Sequence, residues 1–178
     1  MIILGIDPGY AIIGYGVINF EKGKYTQLCN GVIKTDAKWD FCDRLELIYD
    51  KTTELFNKYK PQETAIEKLY FQSNHKTAIE VSEARGVIML AAKKSRVPAS
   101  EYTPLQVKTA VTGYGKAEKR QVMLMTKKLL NLQEIPKPDD AADALAIAIC
   151  HANSRGYKNI FKNISNHTYF RGVKRHVL

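Results

Sequence analysis

Residues 1–34 read MIILGIDPGYAIIGYGVINFEKGKYTQLCNGVIK. The first seven are apolar and rich in Ile, and they stop at Asp7-Pro8-Gly9, the pattern of a buried strand running into a turn. β-Branched and aromatic runs at 12–20 and 25–34 are separated by Glu21-Lys22-Gly23-Lys24, which predicts a hairpin. Three antiparallel strands therefore open the fold.

Beyond them the pattern changes period. Phe41, Leu45, Ile48, Leu55, Phe56 and Tyr59 recur at helical spacing between Asp40 and Pro61, which supplies a stop. Thr64-Ala65-Ile66-Glu67 reads as a short strand. A second helical pattern runs from about His75 to Lys94; Val81, Ala84, Ile88 and Ala91 form one stripe, while Ile79, Val87 and Leu90 lie off it. Two covers for this broad apolar surface stay open: a helix wholly buried in one core, or a core on one side and a second subunit on the other, with Gly86 admitting a close backbone. A strand at 99–102 follows, then Thr103-Pro104 as N-cap and first helical residue. The helix so begun ends at Thr112-Gly113-Tyr114-Gly115. Another spans about 117–130, and a last one starts near Asp139 after Pro136 and Pro138. The order β-β-β-α-β-α-β-α-α-α predicts an α/β fold, a mixed five-stranded sheet flanked by helices.

A chain of 178 residues, 45% hydrophobic and 25% charged, suits one sizeable core. Its formal charge of +9, from 27 Lys and Arg against 18 Asp and Glu, favours a polyanionic partner. No stretch approaches the ~20 apolar residues of a membrane span, and the N-terminal residues show no basic region before a cleavable apolar segment. A cytoplasmic protein with no membrane partner is expected. Cys29, Cys42 and Cys150 are odd in number and lack metal-ligand spacing, so they read as reduced packing residues. After Asp143 no acidic residue occurs. The segment 154–178 is expected to be a loosely ordered basic tail, following one domain over 1–153.

Chemistry is concentrated in acids. Asp7 ends a strand at the edge where α/β sheets commonly place ligand sites; an Asx-turn is the competing role. Glu67 repeats the placement, and neighbouring first and fourth strands would bring the two carboxylates together. Asp140 and Asp143 share one helical face. Favourable interaction with the helix N-terminus accounts for Asp139 but less well for Asp143, because an acid among small alanines packed on a sheet is costly unless it is paired. Four clustered carboxylates demand cations, and oxygen-only ligation suits Mg²⁺ or Mn²⁺. Two such ions roughly 3.5 to 4 Å apart can activate a water and stabilise a leaving 3'-oxygen. Lys116, Lys119 and Arg120 follow a glycine turn at a helix N-terminus, a setting that attracts phosphate. Tyr70 and Phe71 offer rings for base stacking, with core packing as the alternative.

Taken in order, Gly5-Ile6-Asp7-Pro8-Gly9 with Gly14-Tyr15-Gly16, Ala65-Ile66-Glu67, Glu83-Ala84-Arg85-Gly86, Gln106-Val107-Lys108, Gly113 to Lys119 and Asp140 to Ala146 resemble the RuvC family of Holliday junction resolvases over about residues 1–153. The resemblance implies an RNase H-like fold and a homodimer that makes paired symmetric nicks across a four-way DNA junction in recombination and repair. It also implies dependence on Mg²⁺ or Mn²⁺ and partnership with the RuvA and RuvB branch-migration proteins. By motif position Asp7, Glu67, Asp140 and Asp143 match the catalytic, metal-holding acids. Lys119 joins the catalytic set and, with Lys108, engages DNA near the cut; Tyr70 matches a position that stacks on unpaired bases. The doubled Asp139-Asp140 leaves open whether Asp139 shares the third acid's role.

Other readings compete. Asp7-Pro8-Gly9 with Gly14 also resembles the first phosphate loop of actin-like ATPases, which need two such domains. A nuclease acting on RNA or RNA-DNA hybrids is a second, and a binding module using only the basic surface a third.

Overall fold

The computed structural model describes residues 1–69 and 77–169, with side chains through Arg155. β1 (Ile2–Asp7), β2 (Ile12–Glu21) and β3 (Lys24–Lys34) form the expected antiparallel meander. Lys22 and Gly23 make its two-residue hairpin turn, both with positive φ, as the right-handed twist of the flanking strands favours. β4 (Glu63–Glu67) and β5 (Ala99–Tyr102) add in parallel, giving the strand order β3-β2-β1-β4-β5. The first and fourth strands are therefore neighbours, with Ile6 opposite Ile66.

Strand alternation sends side chains into two cores, one on each face of the sheet. Leu4, Ile6, Ile13, Val17, Ile33 and Ile66 meet Ile48 and Phe56 of α1 (Phe41–Tyr59) and Ala84, Ile88, Ala91 and Ala92 of α2 (Ala78–Lys94). On the other face Ile3, Ile18, Ala65 and Tyr102 meet α3 (Pro104–Thr112), α4 (Lys119–Leu129) and α5 (Asp139–Tyr169). The result is an α/β fold of three layers.

Local chemistry sets the helix ends. Asp40 accepts from the Cys42 N–H, and Lys60 closes α1 in the left-handed region before the buried Pro61. Thr103 and Gln106 form a capping box on α3, and Gly113 ends that helix at φ 77°. Glu118 and Gln121 cap α4 in the same way, so that helix begins at Lys119, two residues after the expected 117.

The structure closes one open alternative and extends one element. α2 is not wholly buried: Ile79 is 68% and Leu90 52% exposed, and a Cβ on Gly86 would meet nothing. Its expected first residues, 75 and 76, lie outside the described residues. α5 continues past the expected boundary at 153 to Tyr169. Asn153 donates to the Ala110 carbonyl, Ser154 to that of Cys150, and Arg155 pairs with Glu63, so packing contacts carry the helix across that point. Among the described residues no helix is long and apolar enough to cross a membrane.

Candidate active site

α5 lies unusually close to the sheet because glycines face it. A Cβ on Gly14 would fall on the Asp140 carbonyl, one on Gly5 on the Ala144 carbonyl, and one on Gly16 on Leu145. Gly14 is the β2 partner of Asp7. This close approach brings the first turn of α5 down beside the end of β1. The four acids thus arrive on three elements: Asp7 on β1, Glu67 on β4, and Asp140 with Asp143 on α5.

The loop after Asp7 is braced from behind. Thr35 donates its hydroxyl to the Tyr10 carbonyl at 2.8 Å. The buried Arg44 donates to Thr35 Oγ1 at 2.8 Å and to that same carbonyl at 3.3 Å, with its guanidinium 4.7 Å from the Tyr10 ring centre. Neither residue was selected from sequence. Each is ordinary alone, and only the fold joins them.

Electrostatics show that the acids feel one another. Burial, then the charges of Glu67, Asp143 and Asp140, push Asp7 up to about 8, with Lys119 opposing. Burial and Asp143 raise Glu67 against Lys119 and Lys108. Burial also raises Asp143, although the Lys119 ammonium hydrogen-bonds to it. For Lys119, burial favours the neutral amine, but Asp143 and then Asp139 outweigh it and raise its pKa. This is an acid cluster with too little positive charge.

Lys119 Nζ stands 3.0 Å from Asp143 Oδ2 and 3.5 Å from Asp139 Oδ2. The doubled aspartates are thereby separated: Asp140 acts on Asp7, whereas the half-exposed Asp139 faces the lysine. Glu67, Asp143, Lys108 and Lys119 line a cavity of about 240 Å³ whose apolar wall includes Val107, Val122 and Ile147. Lys116 and Arg120 are exposed and outside that lining. Tyr70 and Phe71 lie outside the described residues.

The donor set is carboxylate oxygen, which fits a hard divalent cation. Among the described residues no group of three His, Cys, Asp or Glu side chains is arranged to hold one ion. Carboxylates acting in pairs, with water and phosphate oxygens completing the shell, match the manner in which Mg²⁺ is commonly held.

Comparison with known proteins gives the family. The family model for "Crossover junction endodeoxyribonuclease RuvC" matches residues 3–151. A protein of that name from Fusobacterium nucleatum is 52% identical over 166 residues, covering 93% of this chain and 87% of the relative. The structure of Thermus thermophilus RuvC superposes with a TM-score of 0.84 at 37% identity, over 89% of this chain and 97% of that one. The same organism's RuvC in complex with Holliday junction substrate gives 0.81 at 34% identity, over 88% and 96%. A match spanning both the acid-bearing strands and α5, supported by identity far above the level where only a fold is shared, means that the chain belongs to the RuvC family of crossover junction endodeoxyribonucleases.

Proposed function

We propose that this chain resolves four-way DNA junctions by hydrolysing one phosphodiester bond per active site, in recombination and repair. One observation carries the reading: Asp7, Glu67, Asp140 and Asp143 meet where three elements converge, and burial, with the charges of the other three acids added to it, lifts Asp7 to about 8. A site built to repel itself is costly unless cations or phosphate-bound cations enter it. RuvC family membership implies divalent-metal dependence. Mg²⁺, with Mn²⁺ as substitute, in two ions held by those four acids, is the finer proposal.

When bound, the ions would supply Lewis acidity and a reactive water. The chain's own residues do the rest. Asp7 and Glu67, at the ends of adjacent parallel strands, fix one side of the site. Asp140 and Asp143 fix the other from the first two turns of α5, held by the glycine-lined approach. Lys119, kept protonated by Asp143 and Asp139, presents positive charge to the scissile phosphate. Lys108 does so from α3. Val107, Val122 and Ile147 exclude bulk water from one wall of the cavity and strengthen these charges. Lys116, Arg120 and Tyr70 extend contact to the flanking DNA.

The uncovered face of α2, with Ile79, Gly86 and Leu90, supports a homodimer whose two sites make symmetric nicks. RuvA and RuvB as partners, and a cytoplasmic location, follow from the family resemblance. The test of substrate class compares a synthetic four-way junction with linear duplex and RNA-DNA hybrid in Mg²⁺. Preferential conversion of the junction to two nicked, religatable duplexes supports the reading; equal cutting of all three sinks it.

A further inference from the structure

A buried polar chain lies behind the acids. The Tyr102 hydroxyl is 2.8 Å from His151 Nδ1, His151 Nε2 bonds Glu63, and Glu63 Oε1 is 3.0 Å from the Arg155 guanidinium. Tyr102 is 6% and His151 4% exposed. Nothing in the chemistry proposed above uses these groups.

Their placement on α5 and β4 is informative. Asp143, Ile147, His151 and Arg155 follow one another at helical i+4 spacing and so form one ridge of α5. Glu63, Ala65 and Glu67 alternate onto the same face of β4, and Ala65 belongs to the core beneath α5. From Asp143 to His151 the helix advances about 12 Å at 1.5 Å per residue. From Glu63 to Glu67 the strand advances about 13 Å at 3.3 Å per residue. The two lengths match. When Glu63 holds His151, Glu67 falls level with Asp143, whose charge indeed acts on it.

The surface between these anchors mixes small groups with the fully buried Leu145, Ile147 and Ile149. Ala144 and Ala148 lie over Gly5, the Asp140 backbone over Gly14 and Leu145 over Gly16, with Ala141, Ala142 and Ala146 also buried along α5. Apolar packing is non-directional, whereas a buried hydrogen-bonded pair has one satisfied arrangement. Fixing register is the best-attested use of such polar pairs.

We propose that Glu63, His151 and Tyr102 are positioning residues that pin the axial register of α5 against β4 and thereby set the spacing of Asp143 from Glu67. The proposal rests on the reading of those acids as the cutting site. The pin acts at a distance, through two rigid elements, and touches neither DNA nor the acids.

The deciding variant replaces the three pinning residues with apolar groups, Glu63→Leu, Tyr102→Phe and His151→Leu together, and leaves the half-exposed Arg155 to solvent. Swapping a satisfied polar cluster for packed apolar side chains commonly leaves stability unharmed. The expected triple variant melts near the wild-type temperature and binds a four-way junction as wild type does. Its single-turnover cutting rate falls by about 10-fold or more, as a misplacement near 1 Å produces, and half-maximal cutting needs more Mg²⁺. A variant that folds and cuts within twofold of wild type at the same Mg²⁺ overturns the proposal. If the triple variant does not fold, His151→Gln and His151→Met are compared below their melting temperatures. Gln offers both a donor and an acceptor, so a rate kept in Gln and lost in Met supports the pin, and equal rates overturn it. Asp7→Asn separates the two readings: an active Asp7→Asn defeats the acid site itself, while an inactive Asp7→Asn beside a fully active triple variant defeats only the pin.

Discussion

Lys119 Nζ stands 3.0 Å from Asp143 Oδ2, so the first residue of α4 is ion-paired to the first turns of α5. The lysine offsets the charge of Asp7, Glu67 and Asp143, with Lys108 acting on Glu67 beside it. Both side chains retain some exposure, at 56% and 29%, so the pair's value lies more in the site's charge than in stability. Lys119→Met is expected to lower single-turnover junction cutting by about 100-fold, the scale of one lost electrostatic stabiliser. Junction binding measured across a salt series loses about one unit of slope at most. Unchanged cutting contradicts the assigned role.

Asp7 supplies a pH signature. Its folded pKa, about 8, lies above the ordinary 3.8, so between those values the folded protein holds a proton that the unfolded chain has released. Stability contributed by Asp7 is therefore greatest below the unfolded value and declines as pH rises through the folded one. In EDTA, Asp7→Asn is expected to gain on wild type by about 3.5 kcal/mol between pH 5 and pH 8, read by urea denaturation. A gap that does not widen with pH counts against the raised carboxyl.

The glycine beneath α5 is a further test. Gly14→Ala places a Cβ on the Asp140 carbonyl, which no flexible side chain can relieve. The expected cost is about 2 kcal/mol of overpacking, seen in the melting temperature, with a fall in cutting larger than the unfolded fraction explains. Cutting in proportion to folded protein removes the link between helix approach and chemistry.

Leu90→Glu addresses the uncovered face of α2. Light scattering is expected to show a dimer for wild type and a monomer for the variant, because a charge is placed where apolar surface would be buried. The monomer should leave junctions unresolved. A wild-type monomer at working concentration contradicts the paired-nick reading.

The strands and helices were legible because period and capping coincided. The β1–β3 alternation, the Lys22-Gly23 turn, Thr103 with Pro104, and the Gly113 stop each say locally what the fold requires. Asp7 and Glu67 were legible as strand-end acids. The choice between Asp139 and Asp140 was only partly legible: the Asp-Ala-Ala-Asp spacing favours Asp140, but both occupy one helical turn, and it is the fold that sets Asp140 on Asp7 and Asp139 on Lys119. The continuation of α5 was hidden by its polar composition. The Tyr102–His151–Glu63 chain was hidden by sequence separations of 49 and 88 residues, across which no local pattern speaks.

The most direct measurement of the central claim is junction cutting by Asp7→Asn in saturating Mg²⁺ beside a binding titration of the same protein. Asp7→Asn keeps the fold and the basic surface, so it is expected to bind the four-way junction with wild-type affinity while cutting falls by about 1,000-fold or more. Cutting at a rate near wild type would contradict the acid cluster as the site of hydrolysis.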